Sequence, residues 1–162
     1  MSALSQVIAL DPAYRQRADR LQQFLLTQLS GSGRLMKSMA QGRTLPDADL
    51  AGYAYVVQGL LDHANATGNG ESRKRAKACA QTARERFRSN TGWKREARPL
   101  LATLQPDPVL ADGALDSPSD VLILDSLRLR DTALNRLARG AACWRLPEME
   151  PDPVSYPAGC RC

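Results

Sequence analysis

Apolar residues recur at helical spacing in four long segments of the chain, residues 12–29, 50–67, 71–88 and 118–138. Intervals of three and four residues place side chains on one face of an α-helix, so each segment predicts a helix with a buried face. The 50–67 segment is apolar on more than one face, and we therefore expect the other helices to enclose it. The stripe that it should bury is Leu50, Tyr53, Ala54, Val57, Leu60, Leu61 and Ala64.

The expected ends of these helices coincide with residues that favour capping. Asp11 and Ser117 each place an oxygen acceptor directly before a proline, which is favoured at the first helical position. Asp47 or Asp49 should cap the second long helix, and the sequence Gly-Asn-Gly at 68–70 should end it. Because that connection is short, the second and third long helices are predicted to form an antiparallel hairpin. The third helix should bury Ala76, Cys79, Ala80, Ala83 and Phe87.

Three segments lack helical periodicity. Residues 34–45 predict a loop or weak β-hairpin with its turn near Gln41-Gly42, and a short extended segment is expected around Trp93. Residues 141–162 contain four prolines and no apolar period, so we expect an irregular tail there. The predicted organisation is therefore one helical unit over 1–140, followed by the tail.

Composition fits this interpretation. The chain has 162 residues, which favours a single domain, and its core is predicted to be aliphatic because only 5% of the residues are aromatic. No apolar run approaches the roughly 20 residues of a membrane span, and the N-terminus lacks the pattern of a signal peptide. We therefore expect a cytoplasmic protein without membrane contact. Its four cysteines do not predict a disulfide framework at this length.

Basic residues concentrate in one part of the chain. The net charge is +5, and ten of the 22 Lys and Arg residues lie within 73–98. This density predicts either a solvated helix face or a basic face that binds nucleic acid or an acidic protein. The residues assigned to the basic face are Arg73, Lys74, Arg75, Lys77, Arg84, Arg88, Lys94 and Arg95.

The order of several segments resembles one protein family. DPAYRQRADRLQQFLL is followed by a loop, by LAGYAYVVQGLLDHANATGN, by a helix ending in RF, by GW and by DGALDSPSDVLILDSLRL. This order is similar to the C-terminal part of thioredoxin-domain proteins that include the spermatogenesis-associated thioredoxin-like protein and its bacterial relatives. The match covers roughly residues 4–129 and is strongest over 50–69 and 112–129.

The resemblance implies helical hairpins from part of an (α/α)6 toroid of the N-acylglucosamine 2-epimerase kind. A full toroid needs about twelve helices, so the chain is expected to be a truncated or remnant toroid, without the thioredoxin-like domain or its Cys-x-x-Cys motif. Such toroids bind ligands at their inner mouth. Two positions there, Gly52 before Tyr53 and Lys94 after Trp93, replace acidic or aromatic residues that are frequent in the family, which disfavours sugar binding.

The candidate residues for chemistry are few. His63 is the single histidine, and with no second histidine to form an epimerase pair it is expected to be structural or to lie on the surface. Asp112 and Asp116 have a spacing compatible with paired carboxylates, although helix capping is the favoured role. Cys160 and Cys162 offer only two of the four ligands of a structural metal site. The residues assigned to low-specificity ligand binding are Tyr53, His63, Trp93, Asp112 and Asp116.

Three hypotheses for function follow. The first is a non-catalytic remnant of the thioredoxin-domain family, with no cofactor and no metal. The second is a binding module that uses the basic face, and the third is a sugar-active enzyme of the toroid type. If the helices come from a twelve-helix ring, apolar stripes that include Phe24, Leu25, Leu122 and Leu127 lose their neighbours, which predicts self-association, most simply as a two-fold dimer.

Overall fold

A computed structural model describes residues 1–8, 11–28, 34–36, 39–40, 43–44, 48–89, 92–97, 116–130 and 132. These residues are mostly helical, which confirms the all-α prediction. The helices are α1 (Ser2–Val7), α2 (Pro12–Gln28), α3 (Leu50–Thr67), α4 (Gly70–Phe87) and α5 (Pro118–Arg128). Two short strands, β1 (Met39–Ala40) and β2 (Arg43–Thr44), lie between α2 and α3.

The predicted caps begin the helices. The Asp11 carboxylate accepts from the Ala13 amide at 2.7 Å at the start of α2. Of the two aspartates considered for α3, it is Asp49 that caps, accepting from the Gly52 amide at 2.9 Å. The Ser117 hydroxyl accepts from the Asp120 amide at 3.3 Å ahead of α5. Each oxygen satisfies an amide that has no partner inside its helix, which explains why the helices begin at these residues.

Helix α3 is at the centre of the core and packs against α1, α2, α4 and α5. It has nine buried residues, more than any other described helix, and they include its whole predicted stripe. The predicted stripe of α4 is also buried and packs against α3. Tyr53 and Phe87 join the two helices, with ring centroids 5.4 Å apart and ring planes at 62°. This edge-to-face geometry is favourable for aromatic pairs.

The non-helical connections follow the predicted turns. Strands β1 and β2 pair in antiparallel register, with Met39 opposite Thr44 and Ala40 opposite Arg43, so the turn falls at Gln41-Gly42 as predicted. Trp93 forms an antiparallel bridge with Arg88 after α4, which confirms the short extended segment there. The Arg95 carbonyl then accepts from the Leu50 amide at 3.0 Å and ties this segment to the start of α3.

The structure differs from the predicted helix ends in two places. Helix α4 begins one residue earlier than predicted, because the Asn69 side chain caps it by accepting from the Ser72 amide at 3.0 Å. It also ends one residue earlier, since the backbone is already extended at Arg88. Helix α5 ends at Arg128, and the left-handed φ of 54° at Arg130 breaks the helical path next to Asp131, a position at which the sequence also allows a break. The remainder of the predicted 118–138 helix, Thr132 excepted, and the predicted tail at 141–162 lie outside the described residues.

The two glycines inside α3 lie under close neighbours. A Cβ atom on Gly52 would lie 3.1 Å from the Ala48 Cβ, and one on Gly59 would lie 3.3 Å from the Met1 side chain. Glycine at these positions therefore allows the segment before α3 and the start of α1 to approach the helix. This close approach offsets the usual preference for alanine in a helix interior.

Candidate functional site

His63 lies one turn before the end of α3 and is fully buried. It is three residues after Leu60 and one residue before Ala64, so the helical period turns its side chain toward the protein interior. The tight turn at 68–69 brings the first turn of α4 alongside it, while α2 packs across from the other side. The histidine therefore lies where three helices meet.

Both ring nitrogens of His63 have hydrogen-bond partners. Nε2 is 2.8 Å from Asp19 Oδ1 on α2, and Nδ1 is 2.9 Å from Ser72 Oγ on α4. An ionised carboxylate only accepts, so Nε2 carries the proton that is shared with Asp19. In the neutral ring, Nδ1 then accepts from the Ser72 hydroxyl. One imidazole thus links α2, α3 and α4 through two hydrogen bonds.

A polar cleft opens beside this cluster. Its volume is about 430 Å³, which falls within the usual ~300–1,000 Å³ range of small-molecule sites. It is lined by Arg15, Asp19, Gln22, Gln23, Thr67 and Asn69. The helix α2 supplies the first four residues, and the α3–α4 turn supplies the other two. We call this the α2 cleft.

Asp19 connects the buried cluster with the α2 cleft. Its side chain is 44% exposed, whereas the His63 side chain is fully buried. His63 holds one carboxylate oxygen, so the carboxylate faces the cleft in a fixed orientation. Arg15, four residues earlier on α2, extends its guanidinium to the Thr67 carbonyl at a long 3.5 Å. The cleft therefore presents one acidic and one basic group from the same helix.

Asp19, His63 and Ser72 are the residue types of a hydrolase triad, but the exposures of the aspartate and the serine are the opposite of those in a triad. In a triad the serine is open to substrate and the aspartate is buried. Here Ser72 is fully buried, and the aspartate is the exposed member. Ser72 is thus not accessible to a substrate, and the accessible group is a carboxylate oriented by a neighbouring imidazole.

The described residues among the others assigned to ligand binding make no contact with the hydrogen-bonded cluster of His63. Tyr53 is fully buried, and its hydroxyl accepts from the Leu35 amide at 2.9 Å. It lies ten residues before His63, about 15 Å along the helix axis at 1.5 Å per residue. Trp93 is 2% exposed within the hydrophobic core. Asp116 is exposed before α5 and its carbonyl accepts from Tyr55 at 2.7 Å, whereas Asp112 lies outside the described residues.

Sequence reasoning did not identify Asp19 or Ser72. A signal for Ser72 was present, since it continues the buried stripe of α4 one turn before Ala76, and a buried hydroxyl requires a partner. Asp19 had no such signal. It lies next to the buried Ala18 and shares a polar side of α2 with Arg15 and Gln22, which is typical of a solvated face.

A second cluster of charged groups joins α3 to α5. Arg128 donates to Asp125 Oδ1 at 2.7 Å and also to the Asp62 carboxylate. Asp125 is 2% exposed, and its Oδ2 has no partner among the described residues. Burial raises the pKa of Asp125 to about 6, Arg128 opposes this shift, and the charge of Asp62 adds to it. The ionised form of Asp125 is therefore disfavoured in the folded protein.

The raised pKa of Asp125 predicts a loss of stability as pH rises. Its carboxyl binds a proton more tightly in the folded than in the unfolded chain, so its contribution is present below about pH 4 and is lost by about pH 6. Asp125→Asn, which cannot ionise, should remove this loss and gain on the order of 1–2 kcal/mol relative to wild type between pH 4 and 7. Urea unfolding of both proteins at several pH values measures it. The prediction would be contradicted if the free energies of unfolding of the two proteins depended on pH in the same way.

The basic face is less uniform than the sequence predicts. Arg73, Lys74, Lys77, Lys94 and Arg95 are exposed, whereas Arg75, Arg84 and Arg88 are half-buried. Arg73 donates to Asn65 Oδ1 at 2.7 Å, and Arg75 pairs with Glu71 at 2.7 Å. Part of this positive charge therefore binds neighbouring residues of the same chain.

Apolar side chains are exposed on α2 and α5. Phe24 is 54% exposed, Leu124 is 60% exposed and Leu127 is 39% exposed. The expectation that Leu122 would also be left open is wrong, because Leu122 is fully buried against the core that contains α3. Leu124, two positions along the same helix, takes the outward position instead.

Self-association through these exposed residues stays a prediction. Sedimentation at micromolar concentration should show a dimer, because large apolar side chains that are exposed in the monomer can be buried by pairing. Leu124→Lys should return the protein to a monomer. Lys74→Glu also changes the charge of an exposed residue, but it lies on α4 and not on α2 or α5, so it should leave the dimer intact. A wild-type monomer at these concentrations would contradict the prediction.

Among the described residues, no cluster of three or more His, Cys, Asp or Glu side chains is placed to hold a metal. Cys79 is buried, and burial raises the pKa of its thiol to about 12, so it stays protonated and unreactive at neutral pH. Cys143, Cys160 and Cys162 lie outside the described part of the chain. None of the described helices has the length and apolar character needed to cross a membrane.

No protein-family model matches the chain, and no curated protein is significantly similar to it. The resemblance to the thioredoxin-domain family therefore stays a prediction from the order of its segments.

Proposed function

We propose that this chain is a non-catalytic helical binding module that takes a small polar molecule into the α2 cleft. The observation that carries the proposal is that Asp19 is both hydrogen-bonded to His63 and exposed at the cleft. Its Oδ1 is 2.8 Å from His63 Nε2, while 44% of its side chain is exposed at the cleft. A carboxylate that is oriented before a ligand arrives loses little freedom on binding, and this preorganisation favours affinity.

The surroundings of His63 support binding over catalysis. A general base must reach the proton that it abstracts, and a nucleophile must reach its substrate. His63 is fully buried with both nitrogens hydrogen-bonded, and Ser72 is fully buried behind it. The cluster thus keeps the imidazole and the hydroxyl away from the cleft, and the only member that it presents there is the Asp19 carboxylate.

The proposed module derives from the helical toroid of the thioredoxin-domain family. Support comes from the order of the resembling segments and from the α3–α4 hairpin. Its first helix, α3, packs against α2 and α5. An experimental structure tests this origin. Successive hairpins related by one constant rotation would support it, and unrelated crossing angles would contradict it.

The test of binding uses the full chain and a mixture of small polar metabolites, detected by ligand-observed NMR. We expect at least one saturable ligand, and Asp19→Asn should weaken it about tenfold or more, because a charge-assisted hydrogen bond is replaced by a neutral one. Asparagine retains an oxygen that can accept from His63, so the fold should persist.

Glu85→Gln is the matched control for this test. It removes one negative charge from an exposed position on α4 that does not line the α2 cleft. Unchanged affinity in this variant would show that the effect of Asp19 is local. No saturable ligand in the mixture, or equal weakening by both substitutions, would contradict the proposed function.

A further inference from the structure

The α2 cleft contains two opposite charges that are not paired with each other. Arg15 and Asp19 are four residues apart on α2, a spacing at which side chains can meet. Instead Asp19 bonds to His63 and Arg15 reaches the Thr67 carbonyl, and no ion pair joins the two within the described part of the chain. Each retains hydrogen-bonding capacity toward the cleft: the second oxygen of Asp19 and the remaining N–H groups of Arg15.

From this arrangement, and resting on the proposed function, we infer that the ligand of the α2 cleft is a small zwitterion, with the chemistry of a free α-amino acid. Its carboxylate binds the Arg15 guanidinium, and its ammonium group binds the Asp19 carboxylate. The two charges of an α-amino acid are separated by one carbon atom, and the cleft presents their complements from adjacent turns of a single helix.

The rest of the lining agrees with this ligand class. Gln22, Gln23, Thr67 and Asn69 are polar, so the described lining of the cleft is mostly polar and suits a polar ligand better than a fatty or aromatic one. A neutral sugar would bond to both charged groups with hydroxyls alone. A zwitterion places an opposite charge at each end, so each of its hydrogen bonds is also an ion pair, which a neutral sugar cannot form.

His63 is a positioning residue in this scheme. Since it holds Oδ1 of Asp19, the ammonium group of the ligand is directed to Oδ2. The buried Ser72 fixes the ring from the opposite side. Neither residue touches the ligand, so their effect on binding is exerted through Asp19.

Four probes separate the contributions of the two charges. L-serine carries both charges, L-serinamide only the positive one, N-acetyl-L-serine only the negative one, and glucose neither. Amide resonances of residues 15–23 and 67–69 are followed by NMR during titration of the full chain. We expect L-serine to bind about tenfold or more tightly than each of the other three probes.

Two variants assign each charge of the probe to its side chain. Asp19→Asn should weaken L-serine and L-serinamide but not N-acetyl-L-serine, whereas Arg15→Gln should weaken L-serine and N-acetyl-L-serine but not L-serinamide. Arg20→Gln is the control for Arg15, since it makes the same charge change on an exposed residue of α2 outside the cleft lining. Circular dichroism confirms that each variant is folded.

The outcomes distinguish this inference from the proposed function. Equal binding of L-serine and either half-charged probe, or preference for glucose, would overturn the zwitterion and leave the binding module standing. If none of the four probes binds while another polar metabolite does, the zwitterion is likewise overturned. If no polar molecule binds at all, both the inference and the proposed function are wrong.

Discussion

Replacing Leu60 with alanine should lower the free energy of unfolding by about 2–5 kcal/mol. Leu60 is fully buried on α3, the helix that packs against α1, α2, α4 and α5. Truncation removes apolar contacts and leaves a cavity, and neighbours that are already packed on several sides can collapse into it only partly. Urea unfolding with an unchanged m-value gives the difference directly.

Leu124→Ala is the control for Leu60→Ala. It makes the same chemical change on α5 at a side chain that is 60% exposed, so the loss should stay within about 0.5 kcal/mol at protein concentrations too low for the predicted dimer to form. If Leu60→Ala lost less than about 1 kcal/mol, α3 would lie near the surface, contrary to its position in this fold.

The helices that could be predicted from sequence are those whose signals are local. Asp49 at the start of α3 and Gly68 after its end act within one turn, so their effect does not depend on the remainder of the fold. The period of α3 identified its buried stripe for a similar reason, because a helix enclosed by neighbours buries whichever face is apolar. The antiparallel α3–α4 hairpin followed from the short connection between them.

The environment of α2 could not be predicted from its own period. The apolar spacing predicts a buried face with Tyr14, Ala18, Leu21 and Leu25. Of these only Ala18 is fully buried and the other three are half-buried, whereas the polar Gln22 is 5% exposed. The helix turns part of its polar side toward α3 because Asp19 bonds to His63. This orientation of α2 depends on a tertiary contact, so the spacing of apolar residues within α2 does not predict it.

Only one residue of the candidate site, His63, could be predicted from the sequence, for the same reason. His63 was predicted to be structural or to lie on the surface, and the structure places it in the interior, where it is fully buried. Its partners lie 44 residues earlier and nine residues later in the chain. Only the packing of α2 and α4 on α3 brings them together, so the α2 cleft and its charged residues became evident from the structure alone.

His63→Ala should cost about 2–4 kcal/mol of stability, a large effect for a single polar side chain. The substitution leaves a cavity where three helices meet and removes the hydrogen-bond partner of the fully buried Ser72 hydroxyl. An unsatisfied buried polar group costs about 1–3 kcal/mol by itself. Asp19 adds less, because its exposed side chain can bond to water instead.

A double-mutant cycle with Ser72→Ala tests this explanation. Once His63 is gone, Ser72→Ala removes a hydroxyl that no longer has its partner, so it should destabilise the protein less than it does in the wild type, or even stabilise it. The expected coupling between the two sites is about 0.5–3 kcal/mol, as found for residues in one hydrogen-bonded network. Additive losses would show that the contact between His63 and Ser72 contributes nothing. In that case the orientation of the His63 ring would rest on its packing and on its hydrogen bond to Asp19.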